Sequence, residues 1–163
     1  MTPEQLVELE LLKRLKYKYV RCLDQKLFDE IGDCFVEEAT ASYGGGAYTY
    51  EGRDAIIDFL RTSMGSTKML TSHKVHHPEI ELTGPTTATG VWALDDVVVM
   101  SELNLTVRGA AYYTDEYVKV GDEWRIRHTG YKRVYEELAP RAADITLTAS
   151  WWDTDGRSSL PAG

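Results

Sequence analysis

The sequence has few cysteines, few basic residues and no long apolar run, and each shortage excludes a class of protein. Its only cysteines, Cys22 and Cys34, lack CxxC spacing, which favours reduced, buried thiols over a disulfide and indicates no redox role. Lysine and arginine number 18 against 26 aspartates and glutamates, giving a formal net charge of −8. Phosphate backbones and anionic lipids repel such a chain, so we expect neither nucleic acid nor a membrane as a partner.

No apolar run approaches the ~18 residues of a membrane span, and the first residues, MTPEQLVELELL, are acidic where a signal peptide is basic. We therefore expect a cytoplasmic protein. A length of 163 residues with 43% hydrophobic content fits one domain with a full core. We assign residues 1–150 to this domain and residues 151–163 to a C-terminal tail. The tail is expected to dock through Trp151 and Trp152 and then to be disordered because it is polar.

The first part of the chain has helical periodicity. Thr2 and Gln5 form a predicted capping box around Pro3, and apolar residues then recur at helical spacing in a long first helix. A second, short helix is predicted to begin with Asp29 as its cap and to end near Glu38. The remaining predictions here are short strands at 39–43 and 47–50 around the glycines 44–46, and a helix at 54–64 closed by Gly65. Because a strand follows the glycines, we interpret them as a hairpin turn and not as a phosphate loop.

Beyond residue 70 the periodicity changes to two, which is typical of strands. The predicted strands are 71–82, 86–100, 106–120 and 123–137, separated by short turns and ended by Pro140. Consecutive strands should pair antiparallel. The predicted fold class is α+β, with three N-terminal helices packed on a strongly curved antiparallel sheet that forms a cone-shaped barrel. Ten tyrosines and four tryptophans predict an aromatic lining for the space between helices and sheet.

Three of the four histidines, His73, His76 and His77, lie on the predicted strand 71–82. Alternation places His73 and His77 on one face unless a bulge intervenes near Pro78. An imidazole facing the pocket is a suitable general acid/base, since its pKa is near neutrality. Same-face histidines with Asp95 or Asp96 on the next strand could alternatively hold zinc or iron, but the spacing has no strict ligand signature and we predict no metal.

Two further positions carry candidate site residues. Asp96 shares its alternation phase with Trp92, which predicts a buried carboxylate that needs a partner. A histidine of the adjacent strand and Arg133 are both candidates, and a purely structural ion pair is a third interpretation. On the first helix Tyr19 lies on the apolar face, and Asp24 can share a groove with it only at the groove's edges or if the helix ends at Asp24.

Five stretches of the chain resemble the SnoaL-like branch of the nuclear-transport-factor-2-like superfamily. Within that superfamily the likeness is to bile acid 7α-dehydratases and, more distantly, to scytalone dehydratases. The stretches are KYVRCLD (18–24), TSHKVHHPEIEL (71–82), TTATGVWALDD (86–96), AAYYTDEYVK (110–119) and HTGYKRVYEE (128–137). The chain departs from the dehydratase pattern at Val20, His76 and His77, which allows a different substrate for the same chemistry.

The resemblance implies a cofactor-independent dehydratase that uses acid/base chemistry on a hydroxylated, ketone-activated polycyclic compound such as a steroid or bile acid. It implies Tyr19, Asp24 and His73 as catalytic residues and Asp96 and Arg133 as supporting residues. The expected substrate-binding residues come from the aromatic lining, and they are Tyr43, Trp92, Tyr113 and His128.

The same resemblance sets expectations for the partner molecules. The substrate is a small hydrophobic ring compound, either free or as a coenzyme A thioester, and the chain is expected to form a homo-oligomer such as a trimer. Three alternatives remain. One is a ketosteroid-type isomerase that uses the same apparatus, and another is a non-catalytic binder of a small hydrophobic ligand or an oligomerisation module. The third is an oxygenase accessory subunit, for which the sequence offers no flavin or iron signature.

Overall fold

The computed structural model describes residues 1–161, and within them three helices precede most of a single six-stranded sheet. The helices are α1 (Pro3–Asp24), α2 (Phe28–Gly32) and α3 (Arg53–Met64). The strands are β1 (Phe35–Tyr43), β2 (Tyr48–Glu51), β3 (Met69–Gly84), β4 (Thr87–Met100), β5 (Leu105–Val120) and β6 (Glu123–Pro140). The α+β prediction is confirmed. No helix of the described part of the chain is long and apolar enough to span a bilayer.

Helix α1 begins where its sequence predicts. The Thr2 side chain accepts a hydrogen bond from the backbone of Gln5, and the Gln5 side chain accepts one from the backbone of Thr2, which completes the capping box. At the other end the backbone N–H of Leu27 donates to Cys22 at 2.8 Å, and Lys26 takes a left-handed φ of 57°. This is a Schellman termination with lysine in the position that usually holds glycine. The helix therefore stops at Asp24.

The prediction for the second helix was wrong at both ends. Helix α2 spans only Phe28–Gly32. The residue before it is Leu27, which provides no side-chain cap, and Asp29 lies inside the first turn. From Phe35 onward the chain is strand β1, with Ala39, Ala41 and Tyr43 buried in alternation. Pairing of this segment with distant strands thus overrides its local helical spacing.

The sheet has the order β2-β1-β6-β5-β4-β3. The four long strands β3 to β6 pair antiparallel in sequence, which confirms the predicted meander. Bulges at His76/Glu79, Ala110/Ala111 and Glu116/Tyr117 add to the curvature of the sheet. Strand β1 pairs with β6 in parallel, which the sequence did not predict. Helix α1 packs on β3 and β6, and α3 packs on β1, so the helices cover one face of this curved sheet.

The C-terminal tail contacts the body of the domain through one of its two tryptophans. The Nζ of Lys26 lies 4.8 Å from the ring centre of Trp152, and Lys68 pairs with Asp153 at 2.7 Å. Trp151 is 60% exposed. Of the two tryptophans, Trp152 therefore makes this contact with the domain. The last two residues of the tail, 162–163, lie outside the described residues.

Candidate active site

A cavity of about 290 Å³ lies between α1, α3 and the concave face of the sheet. Most of its lining is aromatic or aliphatic, with few polar groups, which is the composition of a small-molecule site. The lining residues are Tyr19, Leu23, Tyr43, Tyr48, Phe59, Leu60, Ser63, Met64, His73, Leu94, Asp96, Val98, Tyr113, Tyr131 and Arg133. The elements that supply them range from the first helix to the last strand, so the cavity is a product of the complete fold.

Asp24 and His73 form a hydrogen-bonded pair beside the cavity. The Nδ1 of His73 lies 2.6 Å from Oδ1 of Asp24, and the backbone N–H of His73 donates to Oδ2 at 2.8 Å. Thr71 Oγ1 also donates to Oδ1, at 2.8 Å. Because an ionised carboxylate only accepts hydrogen bonds, Nδ1 of His73 carries the hydrogen. The other ring nitrogen, Nε2, is then the basic one, and His73 lines the cavity.

This geometry depends on where α1 ends. The Schellman turn at Lys26 stops the helix directly after Asp24 and lets its carboxylate reach strand β3. Tyr19 and Asp24 both lie within α1 and still diverge around it, and the cavity lining includes Tyr19 but not Asp24. Tyr19 lies in the cavity wall, and Asp24 acts on the cavity through His73.

A cluster of phenols lies in the wall of the same cavity. The hydroxyl oxygens of Tyr19 and Tyr43 are 3.2 Å apart, and the ring of Tyr113 meets that of Tyr19 edge to face. Burial raises the pKa of Tyr19, Tyr43 and Tyr113, with neighbouring phenols and carboxylates adding to the effect. All three hydroxyls therefore stay protonated at neutral pH. They are donors for a substrate oxygen and not bases.

The Asp96 carboxylate pairs with Arg133 and not with a histidine. Both guanidinium Nη groups of Arg133 donate to Asp96, one of them to Oδ2 at 3.0 Å, and Arg133 Nε lies 2.9 Å from Glu136. Burial alone would lower the pKa of Arg133, but the hydrogen bonds and charge of Asp96 outweigh it and the pKa is raised. His73 is the register neighbour of Asp96 on β3, yet its ring nitrogen bonds Asp24. Of the two candidate partners, the structure selects Arg133.

Two of the expected substrate-binding residues do not line the cavity, and those predictions are corrected. Trp92 is fully buried, and its Nε1 donates to the hydroxyl of Tyr117 at 2.9 Å. His128 lies 2.7 Å from the Thr40 hydroxyl through Nδ1 and faces a separate, shallow depression on β1, β5 and β6. Alternation identified buried aromatic positions correctly but did not say which part of the sheet face bounds the cavity. The other two, Tyr43 and Tyr113, do line it.

The three histidines of β3 separate in the structure. A bulge lies between His76 and Glu79, where His77 takes a φ of 27°, so His73 and His77 do not share a face. His76 pairs with Asp95 at 3.3 Å on the surface. Within residues 1–161 no group of three or more histidine, cysteine, aspartate or glutamate side chains is placed to hold a metal ion.

Several cavity residues were missed by the sequence analysis. Tyr131 lies two positions before Arg133 on β6, so strand alternation with Arg133 was a usable signal for it. Phe59 stacks on Tyr43 at 5.6 Å and on Tyr50 at 4.4 Å, and its role depends on the packing of α3 against β1 and β2. A buried ion pair between Lys16 and Asp115, behind the phenols, had no distinguishing sequence pattern.

Comparison with known proteins agrees with this architecture. A family model described as the SnoaL-like domain matches residues 4–130. Among solved structures, a candidate scytalone dehydratase from Novosphingobium aromaticivorans is similar at 23% identity, with 97% of this chain and 99% of that chain covered and a TM-score of 0.78. The hexachlorocyclohexane dehydrochlorinase LinA-type3 from Novosphingobium barchaimii is similar at 17% identity, with 88% and 95% covered and a TM-score of 0.74.

A third similar structure is an uncharacterised protein with a cystatin-like fold from Caulobacter vibrioides. It is 16% identical, covers 77% of this chain and 89% of that chain, and has a TM-score of 0.67. At these identities the likeness establishes the fold, a curved sheet covered by helices, and leaves the chemistry to be argued from the site itself.

Proposed function

The chain belongs to the SnoaL-like domain family, and from that membership and the cavity we propose that it is a cofactor-independent dehydratase acting on a hydroxylated cyclic ketone. One observation carries the proposal. An imidazole held by a carboxylate at 2.6 Å lines an apolar cavity whose wall also presents protonated phenols. Elimination of water next to a ketone needs these parts, namely a base, an acid and a donor for the developing enolate oxygen.

The reaction uses His73 as the base and Tyr19 as the hydrogen-bond donor. His73 Nε2 removes the proton from the carbon next to the ketone, or from the equivalent carbon at the end of a conjugated enone, and Asp24 stabilises the imidazolium that forms. The electron pair of the broken carbon–hydrogen bond moves toward the ketone oxygen, which accepts a hydrogen bond from Tyr19. The pair then returns to form the carbon–carbon double bond as the carbon–oxygen bond of the hydroxyl breaks. The imidazolium returns its proton to that oxygen, and water leaves.

The cavity has a size suited to a small-molecule ligand. Its volume is about 290 Å³, close to the lower end of the roughly 300–1,000 Å³ typical of such sites. Arg133 is paired with two carboxylates, so its charge does not favour an anionic substrate. A coenzyme A thioester would keep its charged nucleotide outside this cavity.

The test compares two ketones with the wild type and with His73→Ala. One is a hydroxylated tetralone, which has two rings, and the other is a 7α-hydroxy-3-oxo-4-ene steroid. Loss of water extends the conjugated system and is followed by ultraviolet absorbance. We expect turnover of at least one ketone by the wild type, and a decrease of about 10²–10⁴-fold in kcat for His73→Ala because general base catalysis is lost.

The matched control is His76→Ala, which removes the neighbouring histidine of the same strand from the surface. We expect it to keep wild-type turnover. Equal rates for His73→Ala and the wild type would rule out the assigned base. A conjugated product formed from a 5-ene-3-ketone without loss of water would instead identify the protein as an isomerase that uses the same histidine.

A further inference from the structure

The reaction described above leaves one buried ion pair unused. Lys16 on α1 and Asp115 on β5 are both fully buried, with Nζ 2.7 Å from Oδ2, and neither lines the cavity. Removing two charges from water costs several kcal/mol per ion, and an apolar pair of similar volume is often the more stable filling. Stability alone is therefore a poor explanation for this pair.

The carboxylate of Asp115 is surrounded by donors. Besides Lys16 it accepts hydrogen bonds from the hydroxyl of Tyr117 at 2.7 Å and from the hydroxyl of Thr129 at 2.7 Å. Its negative charge is thus shared among three partners on α1, β5 and β6. Burial lowers the pKa of Lys16, and the Asp115 carboxylate opposes that effect. Asp115 therefore favours the charged form of Lys16.

The ammonium of Lys16 faces two rings of the cavity wall. Its Nζ lies 3.5 Å from the ring centre of Tyr113 and 4.8 Å from that of Tyr19. The contact with Asp115 is short but is not a well-directed hydrogen bond, so the ring faces are major neighbours of the cation. A cation over a phenol ring draws on its electron density and is worth up to about 2 kcal/mol when water is excluded. Such a phenol is a stronger hydrogen-bond donor.

We propose that Lys16 is a positioning residue that acts through the rings of Tyr19 and Tyr113 and strengthens their hydroxyls as donors to an anionic oxygen in the cavity. Asp115 holds Lys16 in place, with Tyr117 and Thr129 as its anchors. The inference rests on the proposed function in using Tyr19 as the donor to the enolate. Binding of an anion without turnover tests it separately.

The test measures the binding of substituted phenols, since a phenolate carries its charge on an oxygen as the enolate does. The series runs from an unsubstituted phenol, with a pKa of about 10, to analogues that ionise near neutrality. A methyl compound of the same shape as each phenol serves as the uncharged ligand. We expect the wild type to bind the acidic phenols more tightly than their methyl counterparts.

The first variant, Lys16→Met with Asp115→Asn, removes the cation and its counter-charge together, so no lone buried charge remains. The second variant, Lys16→Gln with Asp115→Asn, keeps polar side chains at both positions without either charge and gives the same readout if the first does not fold. Either variant should reduce the preference for the acidic phenols by about tenfold while affinity for the methyl compounds stays unchanged.

The matched control is Lys119→Met with Glu8→Gln, which removes another lysine–carboxylate pair, 2.7 Å apart and outside the cavity lining. It should leave the preference as in the wild type. Equal weakening of charged and uncharged ligands, an unchanged preference, or a wild type without any preference for phenolates would each overturn the proposal. Phenolate preference without ketone dehydration would overturn the proposed function and leave this inference standing.

Discussion

At the scale of single residues, the order of the site depends on the two oxygens of Asp24. They accept hydrogen bonds from the Thr71 hydroxyl and from both the backbone and the ring of His73. The strand that carries the base is thus fixed to the helix that carries the carboxylate. Rotation of the imidazole would break the 2.6 Å contact, so Asp24 sets both the tautomer and the direction of the ring.

Asp24→Asn tests this role with little change in shape. Its amide can present a nitrogen to the ring, which would favour the tautomer with hydrogen on Nε2 and remove the basic nitrogen from the cavity. We expect kcat for ketone dehydration to decrease by about 10²–10⁴-fold, with a much smaller change in KM. Steady-state kinetics on the hydroxylated tetralone measures both quantities.

The control for Asp24→Asn is Asp95→Asn, which alters the exposed carboxylate beside His76 and should keep wild-type kinetics. A decrease in kcat that is equal for the two variants would contradict a specific role for Asp24. So would a change confined to KM, because the carboxylate would then act in binding alone.

Residue patterns predicted part of this site. Period-two alternation placed His73 and Asp96 on strands, and the buried phase of Asp96 correctly required a partner. The selection of His73 among the three histidines came from family resemblance, because spacing left open whether a bulge near Pro78 separates the faces of His73 and His77. Trp92 and His128 were wrongly placed in the cavity, because alternation assigns a face of the sheet but not a position along it.

At the scale of elements, the ion pair of Arg133 and Asp96 links β6 to β4 across β5. The strand between them has Gly109 in register with Asp96. A Cβ atom built at Gly109 would lie 2.8 Å from Nη1 of Arg133 and 2.9 Å from the carbonyl oxygen of Tyr135. The absence of a side chain at this position leaves room for the guanidinium to cross the strand.

Gly109→Ala should therefore displace Arg133 and weaken its pairing with Asp96. We expect the free energy of unfolding to decrease by about 2 kcal/mol, within the range for overpacking a tight site. Urea denaturation measures the change. The matched control is Gly32→Ala, where the nearest heavy atom to a new Cβ is 3.9 Å away and the free energy should change by less than about 1 kcal/mol. Equal stabilities of the two variants would contradict the assigned crossing.

The elements themselves were predicted to different degrees. The meander from β3 to β6 followed from its alternation and short turns, because antiparallel neighbours are joined locally. Helix α1 followed from its capping box and apolar spacing. The short helix α2 was predicted too long, and the parallel pairing of β1 with β6 was not predicted. Both depend on contacts between segments about 90 residues apart, for which the local sequence carries no signal.

At the scale of the whole molecule, buried phenols couple stability to alkaline pH. Burial raises the pKa of Tyr19, Tyr43, Tyr113 and Tyr117 above the unfolded value of about 10. Each therefore contributes stability that is complete below about pH 10 and is lost as pH rises further. Lys16 acts in the opposite direction, since burial lowers its pKa. The free-energy cost of burying its charge therefore decreases as pH rises above the folded pKa.

We expect the free energy of unfolding to decrease by about 4 kcal/mol between about pH 10 and pH 11, about 1 kcal/mol for each of the four phenols, with part of it returned by Lys16. Urea denaturation at about pH 8, 10 and 11 measures it. Tyr117→Phe serves as the comparison, because it removes one ionisable phenol. Over the same pH range its free energy of unfolding should decrease by about 1 kcal/mol less than that of the wild type. A wild-type stability that is constant up to about pH 11 would contradict this prediction.

The parallel pairing of β1 with β6 also determines when this molecule can fold during its synthesis. Thr40 on β1 meets His128 on β6, a separation of 88 residues. Because closing so long a loop precedes any gain from the contact, such pairings slow folding and raise the contact order of the chain. A nascent chain that has released only the helices and β1 lacks the neighbour of that strand. The cavity therefore closes after β6 has left the ribosome, and until then the apolar face of α1 lacks the strands that cover it.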